Sequence, residues 1–276
     1  MKLSIITVNF NNSDGLRKTI DSVVAQTFKD FEWIVIDGGS TDGSCELIEQ
    51  YADYFSYWVS EKDKGIYHAM NKGIDRASGD YLQFLNSGDW LDSNDVLRSF
   101  FSAPIEGDIL YGDQDYYFNG VLMEHRIHPD EVSLSYLYEN SLGHSSSFIK
   151  RELLSAHHYN ESYRIVSDWE FFLMMAMSDK VFVHRPVTVG CFEMTGISST
   201  NTETLRLERQ SVTETLFPKC LQNDFRRRDE MKSRLKVYEH QMDEQLKTVC
   251  LYRSKRKFYR KLLNLYLRTV RTIDKL

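Results

Sequence analysis

Three polar clusters in the first ninety residues carry side chains suited to holding a phosphorylated ligand: Thr7-Val8-Asn9-Phe10-Asn11, Asp37-Gly38-Gly39-Ser40-Thr41-Asp42 and Asn86-Ser87-Gly88-Asp89. Each follows directly on a short apolar run. Asp37 can accept a hydrogen bond from a nucleobase N–H or a ribose hydroxyl, the glycines permit close backbone approach, and Asp89 can hold a divalent cation against a diphosphate. A turn or a helix cap explains any one cluster by itself, and for Ser40 and Asp42 that is the favoured reading. Three in succession point to a ligand site, because open parallel sheets bind ligands beyond the carboxyl ends of their strands. No GxGxxG follows the first run and GxxxxGK[ST] occurs nowhere, so neither a dinucleotide site nor a P-loop is supported.

The elements that must position these clusters alternate. Residues 3–8 read as a strand, and Leu16, Ile20, Val23 and Val24 then recur at helical spacing. Strands are expected again at 32–36, 56–60 and 81–85, with helices at 45–54 and 66–77. Such alternation predicts parallel pairing in a layered α/β domain. Beyond residue 100 the pattern loosens and the sheet is expected to turn mixed. Strands are expected at 108–111, 120–124 and 146–149, an apolar helix at 169–177, and two short strands, 181–184 and 187–192, around Pro186. From Glu203 onward nearly everything is helix-compatible, interrupted at Pro218.

A length of 276 residues suits one large or two small domains, and a formal net charge of -6 argues against a nucleic-acid binder held by bulk charge. Cys45, Cys191, Cys220 and Cys250 are too far apart for a zinc ribbon or a CxxC pair. The apolar stretch at 3–8 is shorter than a secretory signal requires, and the longest run elsewhere, 171–177, falls well below the roughly 18 residues of a bilayer span. The expectation is a cytoplasmic protein, or one attached to a membrane surface from that side. Charge is unevenly spread: residues 251–276 hold nine Lys or Arg against one acid, a net of +8, leaving -14 on the rest. Apolar residues interleave there at near-helical spacing, which suits a basic amphipathic helix on an anionic membrane. Packing on its own core or on a second subunit, giving a homo-oligomer, explains the same periodicity.

Four segments in order resemble the inverting family 2 glycosyltransferases, of the bacterial surface-polysaccharide type: Ser4–Asn11, Val35–Ser44, Asp63–Ile74 and Gly79–Asp89. The resemblance covers about residues 3–200. It implies an α/β GT-A fold, a Rossmann-like, mostly parallel sheet flanked by helices, over 1–200, with a nucleotide-sugar half at 1–112 and an acceptor half at 113–200. A helical C-terminal extension, 201–276, follows. The resemblance further implies that Thr7, Val8 and Asn9 line the nucleotide, with Gly39, Asn86 and Ser87 at the same site. Asp37 would contact the base, and the segment from Lys64 and Gly65 to Asn71 would approach the uridine or diphosphate. For Lys64 the alternative is a solvated surface lysine.

This chain departs from the family at the metal motif. Members usually carry Asp-x-Asp, whereas here only Asp89 of Asn86-Ser87-Gly88-Asp89 is acidic. One carboxylate can still ligate Mg2+ or Mn2+ together with substrate phosphates and water. Metal-independent transfer, with Lys64 neutralising the diphosphate, is the other option. On the acceptor side, Ser167-Asp168-Trp169-Glu170 resembles the segment that supplies the family's base, which places that role on Asp168 and leaves Glu170 as second candidate. Trp169 is an aromatic on which a sugar can stack, and His144 can shape the acceptor site. The expected reaction moves a sugar from a nucleotide-sugar, UDP foremost, to a saccharide or lipid-linked acceptor with inversion. A nucleotide-binding or partner-recruiting module with decayed metal chemistry is the competing reading.

Overall fold

Leu3–Asn9 is buried along its whole length, which is how a strand reads when helices cover both faces of its sheet. This strand, β1, lies between two parallel neighbours, β2 (Phe31–Asp37) and β4 (Tyr81–Phe84), and β2 pairs in parallel with β3 (Tyr57–Ser60). The register sets Asn9 beside Asp37, so the first two polar clusters leave the sheet side by side. Helix α1 (Ser13–Val24) joins β1 to β2, and Asn12 caps it by accepting from the Gly15 N–H at 3.2 Å. Its Leu16, Ile20 and Val23 are buried against the sheet, the face their spacing predicts.

A computed structural model describes residues 3–104, 106–196, 200–249, 261, 263 and 264. The remaining elements of the first part are α2 (Ser44–Gln50), a 3-10 turn (Ala52–Tyr54), α3 (Ile66–Arg76), β5 (Trp90–Leu91) and α4 (Val96–Phe100). The helix expected over 45–54 thus breaks at Tyr51, and β5 and α4 are too short to show a period in sequence.

The sheet then turns mixed, with the strand order β3-β2-β1-β4-β8-β6-β9-β5 and β7 paired to β6. Here β6 is Ile109–Phe118, β7 Val121–Arg126, β8 Ser147–Lys150 and β9 Phe182–Glu193. The two short strands expected around Pro186 are one strand. Proline is accommodated because the register against β6 shifts between His184 and Thr188, leaving residues 185–187 outside the ladder, where a missing N–H removes no bond. Three helices complete this part: α5 (Leu134–Glu139), α6 (Arg151–Ala156) and α7 (Ser167–Met177), with a 3-10 turn at His144–Ser146. Two further helices, α8 (Thr202–Leu216) and α9 (Lys219–Val249), flank Pro218.

Contacts divide the chain into two units, Met1–Val212 and Thr213–Leu276. In the second, the Phe217 and Phe225 rings lie 5.4 Å apart and Gln222 Nε2 donates to the Phe217 carbonyl at 2.7 Å. Apart from Lys261, Leu263 and Asn264, the basic segment 251–276 lies outside the described residues, as does Cys250. Among the described residues no helix is long and apolar enough to cross a membrane.

Helix α3 approaches β1 through Gly73, where a Cβ would stand 2.4 Å from Ile6 Cγ2. Gly73→Ala gains about 1 kcal/mol of helix propensity but forces a buried isoleucine aside at about 1–3 kcal/mol, so overpacking wins. The urea midpoint is expected to fall. A rise would show that α3 can move off the sheet.

Candidate active site

The third polar cluster is held from below by α1. Thr19 Oγ1 donates to the Asp89 carbonyl at 2.7 Å and accepts from the Gly88 N–H at 3.1 Å, while Asn12 Nδ2 donates to the Ser87 carbonyl at 3.0 Å. Gly88 adopts φ +104°, a left-handed conformation that closes the loop and that a side chain would strain. Asp89 is consequently fixed and buried, with one oxygen accepting from the Glu193 N–H at 3.3 Å.

His144 stands between Asp89 and Asp168. Its Nε2 is 3.5 Å from Asp89 Oδ2 and its Nδ1 is 3.5 Å from Asp168 Oδ2. The turn that carries it is pinned on two sides: Gln83 Nε2 donates to the Ser145 carbonyl at 2.6 Å, and Gln114 Nε2 to Ser145 Oγ at 3.0 Å. Burial alone would lower the pKa of the imidazole, but bonds and charge from Asp168 and Asp89 outweigh it and raise it to about 9. The two acidic side chains that flank His144 thus favour its protonated form over what burial alone would allow. Asp89, in turn, is raised by burial, an effect that His144 offsets only in part. Asp168 opens α7, where the helix dipole favours a negative charge, and its Oδ1 accepts from Tyr67 Oη at 2.9 Å. Burial, then the charge of Asp168, pushes the Tyr67 hydroxyl well above its ordinary pKa, so Tyr67 stays a donor.

These groups lie in a cavity of about 1030 Å³ at the carboxyl ends of β1, β2 and β4. Of the residues expected from sequence, Val8, Asn9, Lys64, Gly65, Asn86, Ser87, Asp89, His144, Asp168 and Trp169 line it. Thr7, Asp37, Gly39, Asn71 and Glu170 do not. Thr7 is wholly buried under β2 and accepts from Trp33 Nε1 at 3.0 Å. Asn71 clamps the 159–161 segment instead, giving its amide to the Tyr159 carbonyl and taking the Tyr159 N–H, each at 2.9 Å. Gly39 uses φ +80° to turn the loop against the backbone of Lys62. Glu170 is raised by burial away from the cavity.

Asp37 is wholly buried, and both of its oxygens are taken. Oδ1 accepts from Asn9 Nδ2 at 2.7 Å and Ser40 Oγ at 2.6 Å; Oδ2 accepts from Ser60 Oγ at 2.6 Å and from the N–H groups of Gly39 and Ser40 at 3.1 and 2.9 Å. Burial would raise this carboxyl, but the bonds from Ser40, Ser60 and Asn9 prevail and hold it below the usual range. Five donors engage this carboxylate, so Asp37 holds the loop after β2 together. Trp169 is similarly committed: its Nε1 donates to the Leu137 carbonyl at 2.5 Å and the Arg209 guanidinium covers its ring at 4.6 Å. The platform expected for a sugar carries an arginine.

Sequence reasoning overlooked Lys62, Asp63, Arg126, Arg164 and Arg209, which also line the cavity. Lys62 and Lys64 have no anionic partner among the described residues and supply positive charge at the end opened by Gly38. The Asp63-Lys64-Gly65 run was legible; Arg126, Arg164 and Arg209 come from scattered elements that no local pattern links.

The donor set admits a divalent cation only in a limited way. Among the described residues the cluster of three potential ligands is Asp92, Asp115 and Cys191, and Asp89 is not part of it. At Asp89 the chain offers one buried carboxylate, which fits Mg2+ or Mn2+ completed by diphosphate oxygens and water.

A mixed α/β sheet with its cleft at the β1, β2 and β4 ends, a carboxylate in the loop after β4 and another opening α7, defines a glycosyltransferase of GT-A fold. The family model for glycosyl transferase family 2 matches residues 4–154, more than half of the chain, and the chain belongs to that family. It is 35% identical over 208 residues to an uncharacterized glycosyltransferase of Mycobacterium tuberculosis, covering 71% of this chain and 77% of that one. Among solved structures, Staphylococcus aureus TarS 1-349 in complex with UDP-GlcNAc has a TM-score of 0.60 at 19% identity, covering 75% of this chain and 65% of that one. The mannosyltransferase PcManGT from Pyrobaculum calidifontis, in complex with GDP-Man and Mn2+, has a TM-score of 0.56 at 16% identity, covering 73% and 59%. The chain thus spans less than two thirds of either structure, and these likenesses show the fold.

The raised pKa of His144 makes a stability prediction. A group whose folded pKa exceeds its unfolded value stabilises fully below the unfolded value, near 6.5, and loses that contribution as pH rises through the folded one, about 9. In metal-free buffer the wild type is expected to lose roughly 2–3 kcal/mol between pH 6.5 and 9.5. His144→Gln should lack that slope. Parallel pH profiles of the denaturation midpoint would mean that the imidazole is neutral.

Proposed function

We propose that the chain transfers a sugar from a nucleotide-sugar, with UDP the leading nucleotide, to a hydroxyl of a saccharide or lipid-linked acceptor with inversion, in the building of a surface polysaccharide. The observation that carries this reading is the pair of carboxylates, Asp89 and Asp168, on either side of His144 in one cleft whose donor end holds Lys62 and Lys64. An enzyme of this kind needs a base on the acceptor side and positive charge for the departing diphosphate, with both groups fixed before reaction.

Asp168 takes the proton of the acceptor hydroxyl as its oxygen attacks the anomeric carbon. The bond from that carbon to the diphosphate oxygen breaks on the opposite face, and the nucleoside diphosphate leaves with the electron pair. An α-linked donor therefore gives a β-linked product. Tyr67 orients the base through Oδ1, and Lys62 and Lys64 draw the diphosphate to the donor end. Asp89 would hold Mg2+ or Mn2+, which when bound supplies Lewis-acid neutralisation of diphosphate charge. The single carboxylate of that loop also favours a second reading, a nucleotide-binding or partner-recruiting module with reduced chemistry. The basic segment 251–276 would attach either protein to an anionic membrane or a second subunit; a chain ending at residue 250 is expected to stop sedimenting with anionic vesicles.

Titration calorimetry with UDP, GDP and dTDP, with and without Mn2+, separates the readings. Selective binding that needs both Mn2+ and Asp89, lost in Asp89→Ala, is expected for the metal-assisted enzyme. Asp168→Asn should bind nucleotide normally yet lose transfer by about 10²–10⁴. Binding without transfer in the wild type would favour the module.

A further inference from the structure

A second group of ligand-bearing side chains lies on the face of the sheet turned away from the cleft. Gln114 and Tyr116 line the cleft, so Asp115 between them stands on the opposite face. The register puts Cys191 of β9 beside Asp115 on one side and beside Trp90 of β5 on the other. Asp115 is in turn beside His125 of β7, and Asp92, two residues past Trp90, returns to the same face. A thiol, two carboxylates and an imidazole therefore meet across four strands, although Asp92 and Cys191 are 99 residues apart in the chain.

Asp92, Asp115 and Cys191 each bring one ligand atom within 4.8 Å of the other two. Cys191 is 1% exposed and Asp115 8%, while Asp92 opens the group to solvent. Their hydrogen bonding is incomplete. Cys191 Sγ has a weak contact with Asp92 Oδ1 at 3.8 Å, and His125 Nδ1 faces Asp115 Oδ1 at 2.5 Å, which leaves Asp115 Oδ2 without a donor among the described residues. Burial, then the charge of Asp115, raises the pKa of Asp92; burial, then Asp92 and Asp115, raises that of Cys191. Groups that ionise only to negative charge are costly to gather unless a cation joins them. The Lys18 ammonium acts on the thiol from nearby but sits over the Trp90 ring, 3.0 Å from its centroid.

The donor types and spacing choose the cation. Two ligands of one tetrahedral zinc, bound at about 2.0–2.3 Å, stand roughly 3.3–3.7 Å apart. The 3.8 Å between Cys191 Sγ and Asp92 Oδ1 is close to that separation, and the exposed Asp92 can turn to complete it. His125 Nδ1 is too near Asp115 Oδ1 to share an ion with it, and takes the place of an outer partner that fixes a ligating carboxylate. A thiol disfavours Mg2+, Mn2+ and Ca2+, which take oxygen ligands.

We propose that Cys191, Asp92 and Asp115 bind one Zn2+, with water in the fourth position, at a site separate from the cation position at Asp89. The thiolate is the ligand, so binding releases the thiol proton to solvent. The ion has a mechanical consequence. β5 is two residues long and follows directly on Asp89. Zinc held through Asp92 ties the end of β5 to β6 and β9, and so braces the loop that carries Asp89.

The test takes the full, untagged and reduced chain, strips it with a chelator, and titrates it with Zn2+ against a chromophoric competitor. One equivalent is expected to bind and to raise the urea midpoint. Co2+ in the same place should show the charge-transfer absorption of a thiolate ligand, and Cys191→Ser should abolish that band. Zn2+ affinity should fall at least about tenfold in Asp92→Asn, an exchange at an exposed side chain. Asp89→Ala should keep both the band and the affinity. Absence of stoichiometric Zn2+ binding by the wild type overturns the proposal and requires no variant to fold. A Co2+ complex without the band, or with a band that survives Cys191→Ser and so belongs to another thiol, also overturns it. Unchanged affinity in Asp92→Asn, or loss of the ion in Asp89→Ala, does the same.

Discussion

A buried histidine held between two acidic side chains, Asp89 and Asp168, sets the geometry of the whole cleft. Taking titratable groups out of water is costly, and here each acidic side chain lies 3.5 Å from a nitrogen of the same imidazole, which offsets part of that cost. The three residues come from distant parts of the chain, and the sheet explains how they meet. β4 pairs with β8 antiparallel, with Tyr81 opposite Lys150 and Leu82 opposite Ile149. Continued past Leu82, that register brings the approach to β8 at His144 alongside the exit of β4 at Ser87. The switch from parallel to antiparallel pairing in mid-sheet therefore puts His144 next to the loop that follows β4. A βαβ crossover would have carried it to the far end of the strand.

How much of this was legible in sequence depended on whether a residue's partner lay nearby in the chain. The β1–β4 half, with its helices, was read nearly to the residue, since period and turn chemistry are local signals. The β9 strand was split at Pro186 because a proline normally ends pairing, and the shift of register on β6 that tolerates it is a tertiary fact. The same division runs through the site. Asn9, Lys64, Asn86 and Asp89 sit in short motifs and face the cleft. Asp37 and Asn71 belong to equally good motifs but spend their polar atoms on Ser40, Ser60 and Tyr159. Sequence shows that a polar side chain is present and cannot show whether its hydrogen bonds are already made. The cover of the Trp169 ring is invisible in sequence for a related reason, as Arg209 lies forty residues on.

The stretch of cleft wall that carries Arg126, Arg164 and Arg209 was the least legible because it is assembled from pieces. Arg126 leaves the end of β7, Arg164 precedes α7, and Arg209 belongs to α8. Arg126 is held by Glu124 at 2.8 Å and by Tyr116 Oη at 2.8 Å, and so forms a fixed part of the wall. The side chain of Arg164 is exposed and has no partner among the described residues. Charge at this end is therefore of two kinds, one structural and one available to whatever enters.

The same distinction decides what Asp168 can do. Its Oδ1 is engaged by Tyr67 at 2.9 Å, a partner that burial keeps protonated, so this oxygen is an anchor. Its Oδ2 faces His144 at 3.5 Å, beyond the length of a strong charge-assisted bond, and retains room for a second donor. A base must be oriented by its surroundings yet keep one lone pair for the proton it removes. On the proposed reading of Asp168 as the base, Tyr67 meets the first need and the loose contact to His144 meets the second. A shorter His144–Asp168 contact would hold the carboxylate more firmly but close that oxygen to any second donor. The 3.5 Å spacing on both sides of the imidazole thus holds two acidic side chains in one cleft while leaving an oxygen of each open to a further partner.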